Sequence, residues 1–514
     1  MTRYALGIDI GTTAVKACLV DDAGNFLAEA SAAHDLYSVE QGWAEEDPAE
    51  WWSGVAKCCQ DILVGSGVDP TLIKGVGVSG MVPAIVLLDA GGRVLRRSIQ
   101  QQDARATEEI DFLKARIDQE ELFQRTGSYT NQQHVLPRLM WVQKHEPQTW
   151  DRVRRIMGSY DYTNWRLTGS QSLEANWAVE SGLYDIRSRH WIQRYLDIAG
   201  IGPDLFPPVR MPTEIIGCIT ETAARETGLA PGTPVVAGSA DHIASALSAG
   251  VSRPGDLLVK FGGGGDVLFC TNELRTHPRL YFDLHNIPGH YIINGCMAAS
   301  GSVIKWFCQN FVWGAGDDAT LQDLDHEAAS VRPGSDGLIL LPYFLGEKTP
   351  LFDPLARGVI FGLSLHHTRA HVFRAILEAV SFGFRHHVDE LEALGFSPER
   401  VFGTNGGSRS SLWQQITADV LGHPITYYPH HPGSALGVAF VAAMGTGLYD
   451  DWSQVSAFLG EGVRRDPDPA RHDVYNRAYA IYRDLYRHLK GDFVRLARLY
   501  RADEPGGRDN GTGA

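Results

Sequence analysis

A short turn near the N-terminus has the residue types of a phosphate-binding site. Asp9-Ile10-Gly11-Thr12-Thr13 ends one apolar strand pattern and leads into another, and Lys16 adds a cation within reach. Small residues let backbone N–H groups approach a phosphate, hydroxyls add donors, and a carboxylate such as Asp9 can hold Mg²⁺ directly or through water. A hairpin turn without a ligand is the alternative. The candidate phosphate-binding residues are Gly11, Thr12, Thr13 and Lys16.

Four consecutive glycines form a second candidate turn. Gly262-Gly263-Gly264-Gly265 stands between strand-like runs at 256–261 and 267–270. Four residues without side chains carry a large entropic cost unless the backbone must approach a ligand closely; a flexible loop is the alternative. The two turns occupy matching places in the two halves of the chain, so a ligand between two domains could be held by both.

Asp241 stands where an apolar run through small residues passes into a helical pattern rich in Ala and Ser. A carboxylate at such a point is by default a helix N-cap, which stabilises the helix by about 1 kcal/mol. Phosphoryl transfer to an alcohol also needs a group that orients the hydroxyl and accepts its proton. The residues alone leave both roles open.

Strand and helix signals place these residues in a repeated α/β arrangement. The first 45 residues predict strands at 4–10, 15–20 and 26–33, and Asp47-Pro48 signals the start of a helix. The same order around the glycines predicts a duplicated domain with a boundary near 250–254. Further helices are predicted at about 367–393, 410–421, 434–445 and 469–499. In the last, four tyrosines share one face and are expected to pack against the domain: Tyr475, Tyr479, Tyr482 and Tyr486.

Composition excludes several function classes. The 514 residues carry a formal net charge of −15 with no basic block, so neither nucleic acid nor an anionic membrane surface is an expected partner. Scattered cysteines and the lack of a long apolar stretch predict a cytoplasmic protein.

The G-x-G-x-x-G run at 75–80 precedes a strand-like run where a dinucleotide site requires a helix. His366, His367 and His371 lack matched ligands, so we expect capping or solvated roles.

Together these residues resemble the FGGY family of carbohydrate kinases, within the actin-like ATPase superfamily, from about Tyr4 to about Lys490. The most specific segment is Gly358-Val359-Ile360-Phe361-Gly362-Leu363, followed after seven residues by His371-Val372 and the run at 375–378. The resemblance implies an α/β fold of two ribonuclease H-like domains with an interdomain cleft. It implies a sugar-binding and catalytic domain at 1–250, a nucleotide-binding domain at 251–500 and a disordered tail at 501–514.

The resemblance also implies roles for single residues. Asp241 matches the catalytic base, Asp9 lies on the Mg²⁺ side, and ATP lies between the two glycine-rich turns. The family usually carries Gly-Thr-Ser in the second turn, so here backbone donors must replace two hydroxyls. The further ATP-binding residues implied are Gly262, Gly263, Gly264, Gly301, Gly406, Gly407, Ser408 and Gly433.

The sugar site departs from the family pattern. Xylulokinases usually show Ser-Gly-Gln-Met-His-Gly where this chain has the run Ser79-Gly80-Met81-Val82-Pro83-Ala84. Gln101 replaces the tryptophan of a Trp-Asn-Asp-Gly-Arg run, and Arg138 replaces a usual lysine. Sugar-binding and structural roles for Asp103 and Arg105 stay open. The implied substrate-binding residues are Met81, Val82, Asp103, Arg105 and Asp241.

The resemblance implies ATP-dependent phosphorylation of a small sugar or polyol, with a ketopentose such as D-xylulose first. Ribulose, erythritol or gluconate-type substrates are alternatives, and glycerol is disfavoured because the Arg-Glu of glycerol kinases is missing. Two other classes are an actin-like ATPase that needs no polyol and a silent sugar-binding regulator, against which an intact Asp241 argues. A homodimer is common among relatives.

Overall fold

The structure is a computed structural model that describes residues 2–312, 317–429, 431 and 433–502. The predicted tail lies outside the described residues from 503 onward, and the last helix reaches Ala502. Among the described residues, none of the helices combines the length and the apolar character that crossing a membrane would require.

Strands and helices alternate along the chain. The strands are β1 (Tyr4–Ile10), β2 (Ala14–Asp21), β3 (Phe26–Ala33), β4 (Glu45–Glu46), β5 (Ile73–Gly80), β6 (Val86–Leu88), β7 (Ser98–Ile99), β8 (Arg155–Met157), β9 (Leu173–Glu174), β10 (Val209–Arg210), β11 (Ile215–Cys218), β12 (Pro234–Val236), β13 (Ser239–Ala240), β14 (Asp256–Phe261), β15 (Gly265–Thr271), β16 (Tyr281–Leu284), β17 (Tyr291–Met297), β18 (Ile339–Leu341), β19 (Val359–Phe361), β20 (Arg400–Thr404), β21 (Ile425–Tyr428) and β22 (Val463–Arg465). The helices are α1 (Pro48–Ser66), α2 (Thr107–Lys114), α3 (Gln119–Thr126), α4 (Val135–His145), α5 (Pro147–Trp150), α6 (Ser159–Thr168), α7 (Ala175–Glu180), α8 (Gln193–Ile198), α9 (Glu221–Thr227), α10 (Asp241–Ser248), α11 (Gly301–Phe311), α12 (Asp317–Ala329), α13 (Arg369–Ala393), α14 (Ser411–Leu421), α15 (Ser434–Gly445) and α16 (Pro469–Ala502).

The chain divides into two compact units that are discontinuous in sequence. Unit 1 comprises 1–254, 269–293 and 431–460, and unit 2 comprises 255–268, 294–430 and 461–514. The ranges predicted for the functional domains, 1–250 and 251–500, stay predictions.

Unit 1 is built on a mixed sheet with the strand order β11-β12-β5-β1-β2-β3, and β13 also pairs with β5. β1 is antiparallel to β2 and parallel to β5, which confirms the predicted N-terminal strands. Asp47 caps α1, because its side chain accepts a hydrogen bond from the Ala49 N–H at 2.9 Å. The run at 75–80 lies within β5 and leads to β6, which confirms the prediction that a strand rather than a helix follows it.

Helix α15 lies close against both α10 and the central strands of unit 1. It is almost wholly buried, and a β-carbon on Gly437 would lie 1.9 Å from the Ala244 carbonyl oxygen of α10. Only a residue without a side chain permits that distance. The position of α10, whose first residue is Asp241, therefore depends on Gly437.

Unit 2 contains the parallel strands β14, β20 and β21, with β22 antiparallel to β21. The four helices predicted in the second half of the chain are confirmed as α13 to α16.

The tyrosine face of α16 is buried, which confirms packing as its role. The Tyr482 hydroxyl accepts a hydrogen bond from Tyr343, and the Tyr486 hydroxyl donates to Asp353. His371 takes part in the capping of α13 with Thr368, as expected.

We expect Gly437→Ala to destabilise unit 1 by about 1–3 kcal/mol, because the new methyl group forces α15 away from α10. The matched control is Gly65→Ala in α1, where a β-carbon would meet nothing within 4 Å. That change should be neutral or stabilise by up to about 1 kcal/mol, since alanine has the higher helix propensity. Thermal unfolding of the two variants beside the wild type measures the difference, and equal melting temperatures would contradict the close-packing argument.

Candidate active site

Three predicted site segments follow three neighbouring parallel strands of unit 1. In the sheet register Ile10 of β1 pairs with Gly80 of β5, and Gly80 pairs with Ala240 of β13. The next residues along the chain are Gly11, Met81 and Asp241. Because the carboxyl ends of parallel strands meet at one sheet edge, the structure brings together the first phosphate turn, the altered sugar segment and the predicted base.

Asp9 lies one residue inside this edge. Its Oδ1 accepts a hydrogen bond from Ser79 Oγ at 2.8 Å, and a β-carbon on Gly11 would lie 3.9 Å from its Oδ2. Lys16 is directly opposite Asp9 in the antiparallel pair of β1 and β2, so the two side chains share a face of the sheet. A carboxylate with one oxygen anchored and the other toward the turn fits a hard cation such as Mg²⁺. Asp9 is the residue that would hold the metal.

His34 contacts two carbonyl groups of the first turn. Its Nε2 lies 2.8 Å from the Gly11 carbonyl oxygen, and its backbone N–H donates to the Thr13 carbonyl at 3.1 Å. Since carbonyl oxygens only accept, Nε2 carries a proton. In a trans peptide the C=O and N–H point in opposite directions, so the Thr12 N–H is directed away from His34. That leaves the turn with an amide donor facing outward.

A buried carboxyl group supports His34. Glu46 Oε2 lies 3.7 Å from His34 Nδ1 and accepts a hydrogen bond from Trp51 Nε1 at 2.8 Å. Burial raises the pKa of Glu46 to about 8. The sequence pattern gave no signal for His34 or Glu46, because their contacts to the turn are distant in sequence.

Asp241 is the first residue of α10 rather than its cap. The cap residue is Ala240, and Asp241 Oδ1 accepts from the adjacent His242 N–H at 2.7 Å. The default interpretation as an N-cap is therefore wrong. About a third of the Asp241 side chain is exposed. The carboxylate belongs to the first residue of α10, directly after the edge of the sheet.

Met81 links the predicted sugar segment to the phosphate turn. Its sulfur accepts from Thr12 Oγ1 at 2.9 Å, and its carbonyl oxygen accepts from Ser159 Oγ at 3.1 Å. Met81 and Val82 are both buried. Met81, which stands where the pattern has glutamine, thus contacts the turn directly.

Asp103 and Arg105 are bound to each other. Asp103 accepts from the Ala44 N–H at 2.6 Å and from Arg105 Nε and Nη2 at 2.8 and 2.7 Å. Both side chains are at most 1% exposed, and the guanidinium lies 3.9 Å over the Trp43 ring. These contacts favour the structural role that the sequence left open.

Arg138 is a functional candidate that the sequence pattern flagged only as a departure from lysine. It is fully buried in α4, and its guanidinium donates to the carbonyl oxygens of Pro83 at 2.9 Å and Gln100 at 2.8 Å, and to that of Gln133. Burial lowers its pKa to about 9. The planar fork of arginine joins three segments that a lysine ammonium could not reach with the same geometry. One of the joined residues, Pro83, directly follows Met81 and Val82.

Unit 2 contains a separate cavity of about 760 Å³, a size suited to a nucleotide. Its walls include Lys305, Asn405 and Trp413. The predicted residues that line it are Gly262, Gly263, Gly301, Gly406 and Gly407. Three predicted residues are not part of this lining. Gly264 follows Gly263 in the turn, Ser408 is buried and donates its hydroxyl to the Asn405 carbonyl, and Gly433 is the N-cap of α15 in unit 1.

The glycine turn of this cavity caps α11 with its carbonyl groups. Gly262 accepts from the Gly301 N–H at 2.9 Å, and Gly263 accepts from the Ser300 and Ser302 N–H groups at 2.8 and 3.1 Å. The N–H groups of Gly263 and Gly264, on the opposite side of these trans peptides, point away from α11. They are the backbone donors that can replace the missing hydroxyls.

The two glycines that replace hydroxyl residues differ in their surroundings. A β-carbon on Gly264 would lie 2.7 Å from the Met297 carbonyl oxygen, whereas one on Gly263 would meet nothing within 4 Å. The backbone path therefore requires glycine at 264 but not at 263.

Comparison with known proteins places these features among sugar kinases. The models of the FGGY family of carbohydrate kinases match the chain with their N-terminal domain at 4–248 and their C-terminal domain at 271–446. The chain is 29% identical to the xylulose kinase of Staphylococcus epidermidis, over 95% of this chain and 97% of that protein. It is 31% identical to the L-xylulose/3-keto-L-gulonate kinase of Escherichia coli, over 96% and 99%. The crystal structure of xylulose kinase from Rhodospirillum rubrum is 44% identical, covers 96% of this chain and 100% of its own, and superposes with a TM-score of 0.90. The predicted α/β fold of two ribonuclease H-like domains is confirmed.

We expect Gly263→Thr to fold normally and to bind ATP more tightly, by up to about tenfold, because one added hydroxyl can make a charge-assisted hydrogen bond. Gly264→Ser should lower both the melting temperature and the affinity for ATP, since its side chain meets the Met297 carbonyl. Calorimetric titration with ATP measures both variants. Equal melting temperatures and equal ATP affinities of the two variants would contradict the conclusion that the backbone requires glycine at 264 but not at 263.

We expect Arg138→Met to raise the KM for the accepted sugar about tenfold or more, because buried carbonyl oxygens each lose a donor at a cost of about 1–3 kcal/mol. The KM for ATP should change little, since the joined segments lie in unit 1 and the predicted nucleotide cavity lies in unit 2. Arg138→Lys should recover part of the loss. Steady-state kinetics with each substrate varied in turn test this, and an unchanged sugar KM in Arg138→Met would exclude the positioning role.

Proposed function

The chain belongs to the FGGY family of carbohydrate kinases, and we propose that it phosphorylates a ketopentose, D-xylulose first among them, with Asp241 as general base. As a family member it transfers phosphate from ATP to an alcohol group of a sugar. The preference for xylulose is supported by the names of the relatives from Staphylococcus epidermidis and Rhodospirillum rubrum. The observation that carries the assignment of the base is the shared sheet edge of Gly11, Met81 and Asp241.

The chemistry requires an acceptor for one proton. The sugar oxygen forms a bond to the terminal phosphorus of ATP, the bond from that phosphorus to the bridging oxygen breaks, and ADP leaves. The hydroxyl proton passes to the Asp241 carboxylate, which is partly exposed beside the first phosphate turn. Bound Mg²⁺ supplies charge compensation to the phosphate oxygens. Asp9 would hold that ion, and the outward Thr12 N–H and Lys16 would bind phosphate.

The second turn supports nucleotide binding in unit 2. The N–H groups of Gly263 and Gly264 face away from α11, and Gly263, Gly301, Gly406 and Gly407 line a cavity of nucleotide size. Ser408 is assigned a structural task at this point, because its hydroxyl bonds to the Asn405 carbonyl. A homodimer and a cytoplasmic location remain proposals from the family resemblance.

A second candidate substrate is a sugar acid. The relative from Escherichia coli is named for 3-keto-L-gulonate as well as L-xylulose. In the predicted sugar segment, Met81 and Pro83 also stand where xylulokinases usually have glutamine and histidine. Ribulose and erythritol are further members of the panel to be tested.

A coupled assay for ADP release over ketopentoses, ketohexoses, polyols and aldonates tests the substrate. We expect the highest kcat/KM with a ketopentose. Preference for an aldonate would shift the assignment to the sugar-acid candidate. ADP release that does not depend on any sugar would favour the actin-like ATPase alternative.

We expect Asp241→Asn to lower kcat by a factor on the order of 10² or more, in the range for loss of a general base. Affinity for ATP should remain, because the predicted nucleotide cavity lies in unit 2. Asp61→Asn is the matched control, since Asp61 is exposed and pairs only with Lys57 on the surface of α1 among the contacts described for it. Near-normal turnover of Asp241→Asn would refute the assigned base.

A further inference from the structure

Three ionisable side chains from separate elements of unit 1 meet beside Asp241. They are Glu180 at the end of α7, His242 in α10 and Asp283 in β16, and their ligand atoms all lie within 4.8 Å of one another. His242 Nε2 lies 3.3 Å from Asp283 Oδ2 and 3.9 Å from Glu180 Oε1. His242 Nδ1 lies 3.4 Å from Asp241 Oδ1. Both ring nitrogens of His242 therefore face carboxyl groups.

This geometry favours the protonated form of the imidazole. Burial disfavours the charged ring, but the charge of Asp283 and hydrogen bonds to Asp241 and Asp283 outweigh it and raise the pKa of His242 well above its usual range. A protonated imidazole donates from both nitrogens, so it can bond to two acceptors at once. Asp283 is 1% exposed and provides the buried counter-charge.

The pKa values of the other carboxyl groups around the ring are raised. Burial, reinforced by the charge of Asp283, raises the pKa of Glu180 well above its usual range. Burial also raises the pKa of Glu174 in β9 to about 7 and that of Asp161 in α6 well above its usual range, while Tyr160 is a buried phenol. α15, which packs against α10, contributes no charged residue. The His242 ring thus lies between the carboxyl groups of Asp283 and Asp241, at 3.3 and 3.4 Å.

We propose that His242 is a positioning residue for the phosphoryl transfer: its ring bridges Asp283 to Asp241 Oδ1 and so fixes the orientation of the catalytic carboxylate. The proposal rests on the proposed function of Asp241. Two donors of one residue, the His242 backbone N–H at 2.7 Å and the ring at 3.4 Å, converge on the same carboxylate oxygen. The rotation of the carboxylate about its side-chain bonds is restricted as a result, and a nearby cation favours its ionised, proton-accepting form.

The bridge has a defined dependence on pH. His242 has a raised pKa in the folded protein, so the bridge is complete below that pKa and is lost as the pH rises through it. The wild type should therefore lose kcat on the alkaline side. Loss of the bridge leaves the ATP site unchanged, so the KM for ATP should stay constant.

Two variants test the bridge in different ways. In His242→Gln we expect kcat to fall roughly 10-fold to 100-fold, the cost of a misplaced catalytic group, and the alkaline decline that belongs to His242 to disappear. Asp283→Asn keeps the ring but removes its counter-charge, so the alkaline decline should move to lower pH. His190→Gln, an exposed histidine of the same unit, is the matched control. Melting temperatures and ATP affinity show whether either variant is merely unfolded.

Wild-type kcat and an unchanged pH profile in both variants would overturn the proposal. If His242→Gln fails to fold, the shift in Asp283→Asn decides, because that variant retains the imidazole. One tightly bound divalent cation in the purified enzyme, lost in Asp283→Asn, would also overturn it, since the three side chains would then bind metal instead of a proton. Asp241→Asn distinguishes failure of the bridge from failure of the proposed base. If Asp241→Asn is inactive while His242→Gln has normal kcat, only the bridge is rejected. If Asp241→Asn has near-normal turnover, the proposed base is rejected.

Discussion

The parallel pairing of β5 with β1 on one side and with β13 on the other is the constraint on which the candidate site depends. It aligns Ile10, Gly80 and Ala240, so that three loops begin at the same sheet edge. Backbone hydrogen bonds of a central sheet are among the most rigid interactions in a protein, and a site built at their ends keeps its geometry. The close approach of α15 to α10 at Gly437 then fixes the helix that begins with Asp241.

Electrostatics around this edge follow from burial. The chain carries a formal net charge of −15, which opposes the binding of phosphates. Two carboxyl groups of unit 1 are shifted toward their neutral form, because burial raises the pKa of Glu46 to about 8 and that of Glu174 to about 7. His242 adds a positive charge beside Asp241 and Asp283. The local field at the site is therefore less negative than the composition suggests.

In both glycine-rich turns the carbonyl oxygens are bound by protein donors, but the donors differ between the turns. In each, protein donors bind the carbonyl oxygens, His34 in the first turn and the start of α11 in the second, so that amide N–H groups face the other way. The first turn keeps hydroxyl residues, and Thr12 bonds to Met81. The second relies on backbone alone, with Gly264 required by the Met297 carbonyl and Gly263 free of that restraint.

Much of the fold could be predicted from the sequence because its signals are local. The strand-like runs and turns of β1 to β3, the cap and proline at Asp47-Pro48 and the helical periodicity of α13 to α16 act over a few residues. The structure places each of these elements within three residues of its prediction. The turn at Asp9 to Thr13 and the glycines at 262–265 were equally visible, because phosphate-binding turns have short residue patterns. The identity of the family followed from the same kind of signal.

Local sequence patterns thus indicated the elements, the two turns and Asp241 as a candidate. The contacts of the folded chain showed that Asp241 is not the cap of α10, that Arg138 joins three carbonyl groups, and that His34 contacts the first turn. They also showed the meeting of Glu180, His242 and Asp283, which lie up to about a hundred residues apart. Such contacts leave no local pattern, because their energies depend on burial and on distances that arise only when the chain has folded.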